Sequence, residues 1–353
     1  MSLTFIFNDS RLPRMRFGLA LPHYDTSLAG RDVTWDGVRT AAEVAEGTGF
    51  ASAWVSDHLF LDWAKYGGPP DRQGSLECLT TLAALAGTTD RLRLGSLTLC
   101  NDLRAPALVA KMASTLDRLS GGRLEIGLGG GWYEPEYRAA GIPFDPPRTR
   151  IRRVGEAVEI IARVLEGEEL TFKGEYYTID GAICRPGPVQ DPRPPIWIGG
   201  KGDFLLKTAA RAADGWNFSW IGSVDAYRER SAAADRACEG AKRDPATLRR
   251  SVGAYVLVGR DERDVRARFE RLVERTPAGV LRPPSGERGV SWEEFRSRGV
   301  AGTVGEVVDA LGSLDELGVE EVIVSPGALP FQVADLDDIE LVGTEVAAQL
   351  RGE

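Results

Sequence analysis

Only two histidines occur in this 353-residue chain, and both lie just past short β-rich runs. His58 follows the run Ala51–Ser56 in the sequence Ser56-Asp57-His58-Leu59, where an imidazole beside an acid can orient a ligand and move a proton near neutral pH. The competing reading is local: Asp57 caps a loop and His58 packs beside it. His23, past Arg16–Leu21, holds a similar place with less to single it out. Glycines mark two further run ends. Gly129-Gly130-Gly131-Trp132 and Gly199-Gly200-Lys201-Gly202 each precede a helical pattern, so backbone N–H groups can approach a ligand oxygen and the helix start favours an anion. A tight turn needing positive φ would call for the same glycines. With Lys201 added, the two turns together make a phosphate cradle. Trp63, Trp132, Tyr133, Trp197, Trp216, Phe218 and Trp220 gather near the same ends. Most aromatic side chains serve as core or wall, yet as a group these can line a slot for a flat ring. A cradle and a flat slot together suggest a flavin-like cofactor, on which the hard chemistry would rest.

The elements that must carry these residues alternate regularly. Strand-like runs are expected at Arg16–Leu21, Ala51–Ser56, Leu92–Leu99, Arg123–Leu128, Ile196–Gly199, Gly215–Ser219, Val252–Val258 and Glu321–Val324. Between them, helical periodicity covers Thr34–Thr48, Ser75–Gly87, Ala105–Leu119, Glu134–Ala140, Arg150–Leu165, Asp203–Ala213, Val224–Arg243 and Val304–Leu317, with Asp335–Leu350 closing the chain. Eight apolar strands separated by helices predict an α/β fold, a (β/α)8 TIM barrel with insertions at the C-terminal face of its strands. A doubly wound sheet is disfavoured: Arg16–Leu21 leads into Pro-His-Tyr-Asp rather than Gly-x-Gly-x-x-Gly, and no P-loop spacing occurs. Residues 15–353 are expected to form one barrel domain after a poorly ordered extension, 1–14. Two aromatic-rich runs split by Lys-Gly-Glu suggest a hairpin inserted at 168–190, and the Gly/Pro/Arg-rich stretch 276–300 reads as a long insertion, a candidate lid.

Composition narrows the classes of function. Lys+Arg number 43 against 52 Asp+Glu, a net charge of −9, which disfavours nucleic acid as the main partner while leaving room for a small anion. Apolar residues at 43% and charged residues at 27% are those of a soluble globular protein, with no apolar run of membrane-spanning length. The four cysteines (Cys78, Cys100, Cys184, Cys238) are scattered without Cys-x-x-Cys spacing, as in a reduced, cytoplasmic protein, and two histidines argue against a zinc site.

At these same residues the chain resembles the bacterial luciferase-like family, and within it the oxidoreductases dependent on the deazaflavin coenzyme F420. The specific stretch is Ala105–Phe144, with its LSGGRL, GLGGGWYEPEY and GIPF forms; WVSDH at 54–58, RPPIWIGG at 193–200 and ADGW at 213–216 support it. The resemblance implies a luciferase-like barrel with the cofactor at the strand C-termini. It implies Asp57 and His58 beside the deazaflavin ring, a non-proline cis peptide bulge at Leu97–Thr98 behind it, and Asn101 as a weaker ring contact. The backbones of Gly130, Gly131 and Trp132 and of Gly200, Lys201 and Gly202 would hold the phosphate, with His58 as the catalytic residue and no metal. Sugar-phosphate dehydrogenases of the family carry Glu where Trp132 stands here and a Lys after the sixth strand, where Ile221-Gly222-Ser223 has none. That points to a neutral or apolar organic substrate.

Three functions follow as expectations. The first is F420-dependent hydride transfer to or from a small organic molecule. The alternative is a two-component monooxygenase using reduced FMN, which shares the cradle. The third is a non-catalytic flavin- or deazaflavin-binding protein. A homodimer is the family expectation.

Overall fold

The computed structural model describes residues 15–282 and 289–351. The expected extension 1–14 and positions 283–288 of the expected insertion lie outside the described residues. Eight parallel strands form the centre: β1 Arg16–Ala20, β2 Ser52–Val55, β3 Arg93–Ser96, β4 Leu124–Gly129, β5 Ile196–Gly199, β6 Gly215–Ile221, β7 Arg249–Gly259 and β8 Glu321–Ser325. Each pairs with its sequence neighbour, including β4 with β5 through Ile126↔Ile196. The pairing of β8 with β1 (Phe17↔Val322) closes the ring. This is a (β/α)8 barrel, and closure excludes the doubly wound alternative.

The barrel interior accounts for two tryptophans and two glycines. Trp54 and Trp197 lie inside it, fully buried and edge-to-face at 6.4 Å between ring centroids. Gly95 and Gly215 give them space: a Cβ at either position would overlap the facing indole. The indole of Trp197 donates to the buried Glu125 at 2.6 Å, and that of Trp54 donates to Ser52 at 2.7 Å. Burial pushes the Glu321 carboxyl up, and the nearby Arg16 guanidinium, 3.1 Å away, opposes this.

Helices wrap the barrel with apolar faces inward. In α1, Trp35–Gly47, Thr34 caps the start by accepting from the Gly37 amide, and Val38, Ala41, Ala42 and Ala45 make the buried stripe. α2 runs Cys78–Ala86, starting later than its periodicity predicts because the Glu77 carboxylate accepts from the Leu79 and Thr80 amides and fixes the first turn there. Next come α3 Pro106–Leu119, α4 Glu134–Ala139, α5 Pro147–Leu165, α6 Asp203–Ala212 and α7 Val224–Gly240. After α5, Leu170–Lys173 and Thr178–Ala182 pair antiparallel. Glu156 of α5 anchors their turn by accepting from the Glu175, Tyr176 and Tyr177 amides.

Three findings depart from the expected elements. α8, Glu262–Arg275, follows β7 where no helix was expected; its sequence is mostly charged, and only Val265, Arg268, Phe269 and Leu272 turn inward. In the expected insertion 276–300, the described part includes a short helix, α9 Trp292–Arg296, closed by a Ser291/Glu294 capping box. It ends in a strand, Val300–Thr303, that pairs with the far half of β7, leading into α10 Val304–Asp315. The expected closing helix at 335–350 is split: Leu336–Leu341 is α-helical, Val342–Ala347 widens to a π-helix, and Ala348–Arg351 resumes. Gly343 lies against Thr48, where a Cβ would stand 2.6 Å from the Thr48 carbonyl oxygen.

Candidate active site

The C-terminal ends of the strands open into a cavity of about 630 Å³. β2 delivers Ser56, Asp57 and His58 to it; the turn after β3 brings Leu97 and Thr98; the exit of β4 brings Gly129–Trp132 and that of β5 brings Gly199–Lys201. Tyr24, Lys65, Tyr66, Trp220, Tyr255 and Phe331 complete the wall around them.

Asp57 and His58 point apart, as neighbours on an extended strand must. The Asp57 carboxylate accepts two bonds from Arg104, at 2.7 and 2.9 Å, and one from the Cys100 amide at 2.9 Å. Burial works against the Arg104 charge, but Asp57 and Glu77 together hold the guanidinium above its ordinary value. Asp57 therefore fixes the backbone after β3 while it lines the cavity. His58 turns the other way. Its Nδ1 lies 3.0 and 3.1 Å from the two oxygens of Glu136, a fully buried carboxylate in α4 that also accepts from the Leu59 amide at 3.1 Å. A carboxylate only accepts, so Nδ1 carries a proton and Nε2 is the nitrogen left for the cavity.

Behind His58 runs a second hydrogen-bonded chain. His23 Nδ1 is 2.9 Å from the Leu21 carbonyl oxygen, and its Nε2 is 2.9 Å from Ser56 Oγ, to which the Tyr24 hydroxyl is also bonded. Burial pushes the His23 imidazole down to about 4, so the ring is neutral near pH 7. Its one proton then serves Leu21, Ser56 donates to Nε2, and Tyr24 donates to Ser56. Every direction in this chain is fixed, and His23 itself is out of reach of the cavity, which it does not line.

The glycines divide between the two readings given to them. Thr98 lies against β4 and β5: a Cβ on Gly199 would come within 2.6 Å of its methyl group, and one on Gly129 would overlap its hydroxyl. The peptide Leu97–Thr98 is cis. Gly131 has φ +65°, and its Cβ would strike the Tyr137 hydroxyl in the interior. Packing thus demands these three, and Gly200 too has φ +138° and a Cβ that would overlap the Leu205 side chain, while Gly130 leaves backbone at the cavity wall with only ordinary contacts around it. The anion-favouring helix expected after Gly131 is only six residues, α4, with Glu134 and Glu136 in its first turn, so no macrodipole of use arises there. α6, after Lys201, is ten residues long and has no side chain capping its start.

Two lysines face the cavity without a carboxylate partner among the described residues. Lys201 donates to the Trp220 carbonyl oxygen at 2.9 Å, and Lys65 lies 3.9 Å above the Trp132 ring. Burial lowers the affinity of both ammonium groups for their protons, and Lys65 lowers that of Lys201 further. Such a pair favours an anion between or beside them.

Asn101 and Gly202, expected at the cofactor, do not line the cavity. Asn101 is buried and spends its amide on Tyr177 (2.9 Å) and Asp102 (3.2 Å). Of the seven aromatics expected near the ring, Trp132 and Trp220 line the cavity; Trp216 and Phe218 pack on Tyr227 of α7, and Trp63 is buried with its indole bonded to Thr26. Sequence reasoning missed Glu136, Tyr24, Ser56, Lys65, Tyr66, Tyr255 and Phe331. Glu136 lies 78 residues from His58 and within the motif stretch 105–144, the one signal that would have found it. Among the described residues there is no cluster of three or more metal-ligating side chains, and no helix is long and apolar enough to cross a membrane.

The chain is 29% identical over 320 residues to an F420-dependent hydroxymycolic acid dehydrogenase of Mycobacterium tuberculosis, covering 88% of this chain and 83% of that one. It is 26% identical over 334 residues to an FMNH(2)-dependent dimethylsulfone monooxygenase of Pseudomonas putida, covering 89% and 87%. Against mycobacterial relatives that are 35% identical over 185 residues, the chain spans about 62% of their length. A solved coenzyme F420-dependent tetrahydromethanopterin reductase from Methanopyrus kandleri shares the fold with a TM-score of 0.71 at 23% identity, over 96% of this chain and 99% of that one. The family model for luciferase-like monooxygenases matches residues 15–321, and the chain belongs to that family.

Proposed function

We propose that this chain is an F420-dependent oxidoreductase that transfers a hydride to or from a neutral or apolar organic substrate, with His58 as its acid–base group. The observation that carries the reading is the Glu136–His58 pair: a buried carboxylate holds Nδ1–H and leaves Nε2 toward the cavity. A hydride leaving or reaching carbon must be matched by a proton leaving or reaching the attached oxygen, and Nε2 can take or give it.

The residues present fit a deazaflavin. The cavity volume of about 630 Å³ suits a cofactor site, typically ~300–1,000 Å³ with a mostly apolar lining. Leu97, Thr98 and Trp220 supply wall for a flat ring, and Gly130, Gly131, Trp132 and Gly200 offer backbone at the cavity edge. Lys201 and Lys65 are suited to a phosphate, with the uncapped start of α6 beside Lys201. Bound there, a deazaflavin supplies the hydride donor or acceptor that the side chains lack. His58 orients the substrate oxygen and moves its proton, Glu136 keeps the ring in the right tautomer, and Asp57 with Arg104 holds the β3 exit. The glycine and lysine set is equally suited to FMN, and a relative named for FMNH(2) makes monooxygenation the second reading. The chain acts in the cytoplasm, as a homodimer.

Equilibrium titration with oxidised F420 and with FMN, side by side, tests this. Tighter binding of F420 is expected; FMN binding tenfold tighter would move the assignment to the monooxygenase. With F420 bound, His58→Ala should keep cofactor affinity within a few-fold and lose turnover by about 10²–10⁴. Cofactor affinity that collapses with His58 would make it a binding residue instead.

A further inference from the structure

Beside the main cavity lies a second one of about 180 Å³. The two share a wall, Tyr66 and Tyr255, which line both. Beyond that wall the lining is Val280, Leu281, Phe295, Val300, Ala301 and Ala328, with the exposed Arg298 as its single charged side chain. Tyr255 is held by stacking on Trp220, 5.1 Å between centroids, while Tyr66 sits on a single 3-10 turn, Ala64–Tyr66, in the loop between β2 and α2. Neither phenol oxygen has a hydrogen-bond partner among the described residues. Burial pushes Tyr66 up to about 12 and raises Tyr255 too, so both remain neutral donors in the shared wall.

We propose that this side cavity is the hydrocarbon subsite of the enzyme, so that its substrate is an alcohol or carbonyl compound carrying an apolar arm that passes between Tyr66 and Tyr255. The proposal rests on the reading of the main cavity as the place of reaction. Size sets the arm: a dry apolar cavity of ~150 Å³ admits benzene, so the volume here takes about six carbons. Apolar lining rewards each of them with about threefold to fourfold in affinity, the worth of a buried methylene. The two phenols make the shared wall polar where the arm would pass, which favours an arm that begins near an oxygen and ends in hydrocarbon.

Calorimetric titration with a ladder of 2-alkanones, from butanone to 2-decanone, tests the subsite, first on the protein alone and then with F420 or FMN at saturation. Affinity should climb about threefold to fourfold per methylene and level off once about six are housed. Ala328→Phe fills the side cavity without touching the main one, and should flatten the ladder while cofactor affinity holds. Val280→Ala should move the plateau one or two carbons further, a gain that a merely structural residue would not give. A full ladder in folded Ala328→Phe, no ladder in the parent, or an unmoved plateau in Val280→Ala overturns the subsite. Should Ala328→Phe not fold, the Val280→Ala plateau decides alone. Failure of both cofactors to bind would instead overturn the reading of the main cavity, and the cofactor-free ladder would still judge the side cavity.

Discussion

Replacing Glu136 by Gln removes one charge and almost no volume from the only partner of His58 Nδ1 among the described residues. In the parent, the carboxylate faces the ring at 3.0 and 3.1 Å and is fully buried. When His58 takes a proton from substrate, an imidazolium forms beside that carboxylate. Two unit charges about 4 Å apart at an effective dielectric of about 20 attract by about 4 kcal/mol. At about 1.36 kcal/mol per factor of ten, that is roughly a 10³-fold effect on any step that charges the ring. A glutamine can also donate, so part of the population would place the proton on Nε2, the wrong tautomer for a base, which adds to the loss. Stability should fall less, by about 1–2 kcal/mol, because the amide oxygen still accepts from Nδ1 or from Leu59 and only the charge-assisted share is lost. The assay is single-turnover reduction or oxidation of the bound cofactor, with its affinity measured separately and the imidazole nitrogens followed by NMR. A Glu136→Gln protein whose turnover stays within a few-fold of the parent would refute the dyad. So would a loss confined to cofactor affinity, since that would make Glu136 a structural support for the Gly131–Trp132 turn.

Gly131→Ala should lower the melting temperature sharply, at a cost of about 2–5 kcal/mol, because φ is +65° and the new Cβ meets the Tyr137 hydroxyl; Gly202→Ala, with nothing within 4 Å, should melt with the parent. The depressed proton affinity of Lys201 predicts that binding of an anionic cofactor weakens as pH rises through a value below that of an ordinary lysine. Lys201→Arg should lessen that weakening, leaving the share of Lys65, and a parent titration flat into the alkaline range would refute the role. His23 binds its proton in the unfolded chain at about 6.5 but in the folded chain only near 4. Its contribution to stability is therefore full above the unfolded value and is lost as pH falls, by about 2 kcal/mol between pH 7 and pH 5. Chemical denaturation of the parent and of His23→Asn at both pH values should show this as a difference of about 2 kcal/mol between the two proteins' changes in stability. Asp338 acts in the opposite sense, since burial raises its carboxyl to about 6, so the comparison with the variant and not the raw slope is the test.

How far the sequence determines this protein depends on whether a residue's role is local or shared. Alternation of Val/Ile/Leu-rich runs with helical periodicity is a local property, and it placed all eight barrel strands and most of the helices to within a few residues. Ends shifted where side chains far from the pattern intervened, as when Glu77 capped α2. α8 escaped because a surface helix of a barrel needs only a narrow apolar stripe, and four inward residues among charges make a weak period. Cavity residues named from strand ends, such as His58, Gly130, Trp132 and Lys201, do line the cavity, because in a closed parallel barrel every strand exit points to the same face. What tertiary structure alone decided is which groups those residues face. No spacing rule joins His58 to Glu136, turns the Asp57 carboxylate onto Arg104, or tells that Gly129 and Gly199 make room for Thr98 while Gly130 does not. Those are contacts between segments tens of residues apart, set by strand register and by the direction of each Cβ. The side cavity behind Tyr66 and Tyr255 is of the same kind: it exists only once the loop after β2, the middle of β7 and the strand Val300–Thr303 are brought together.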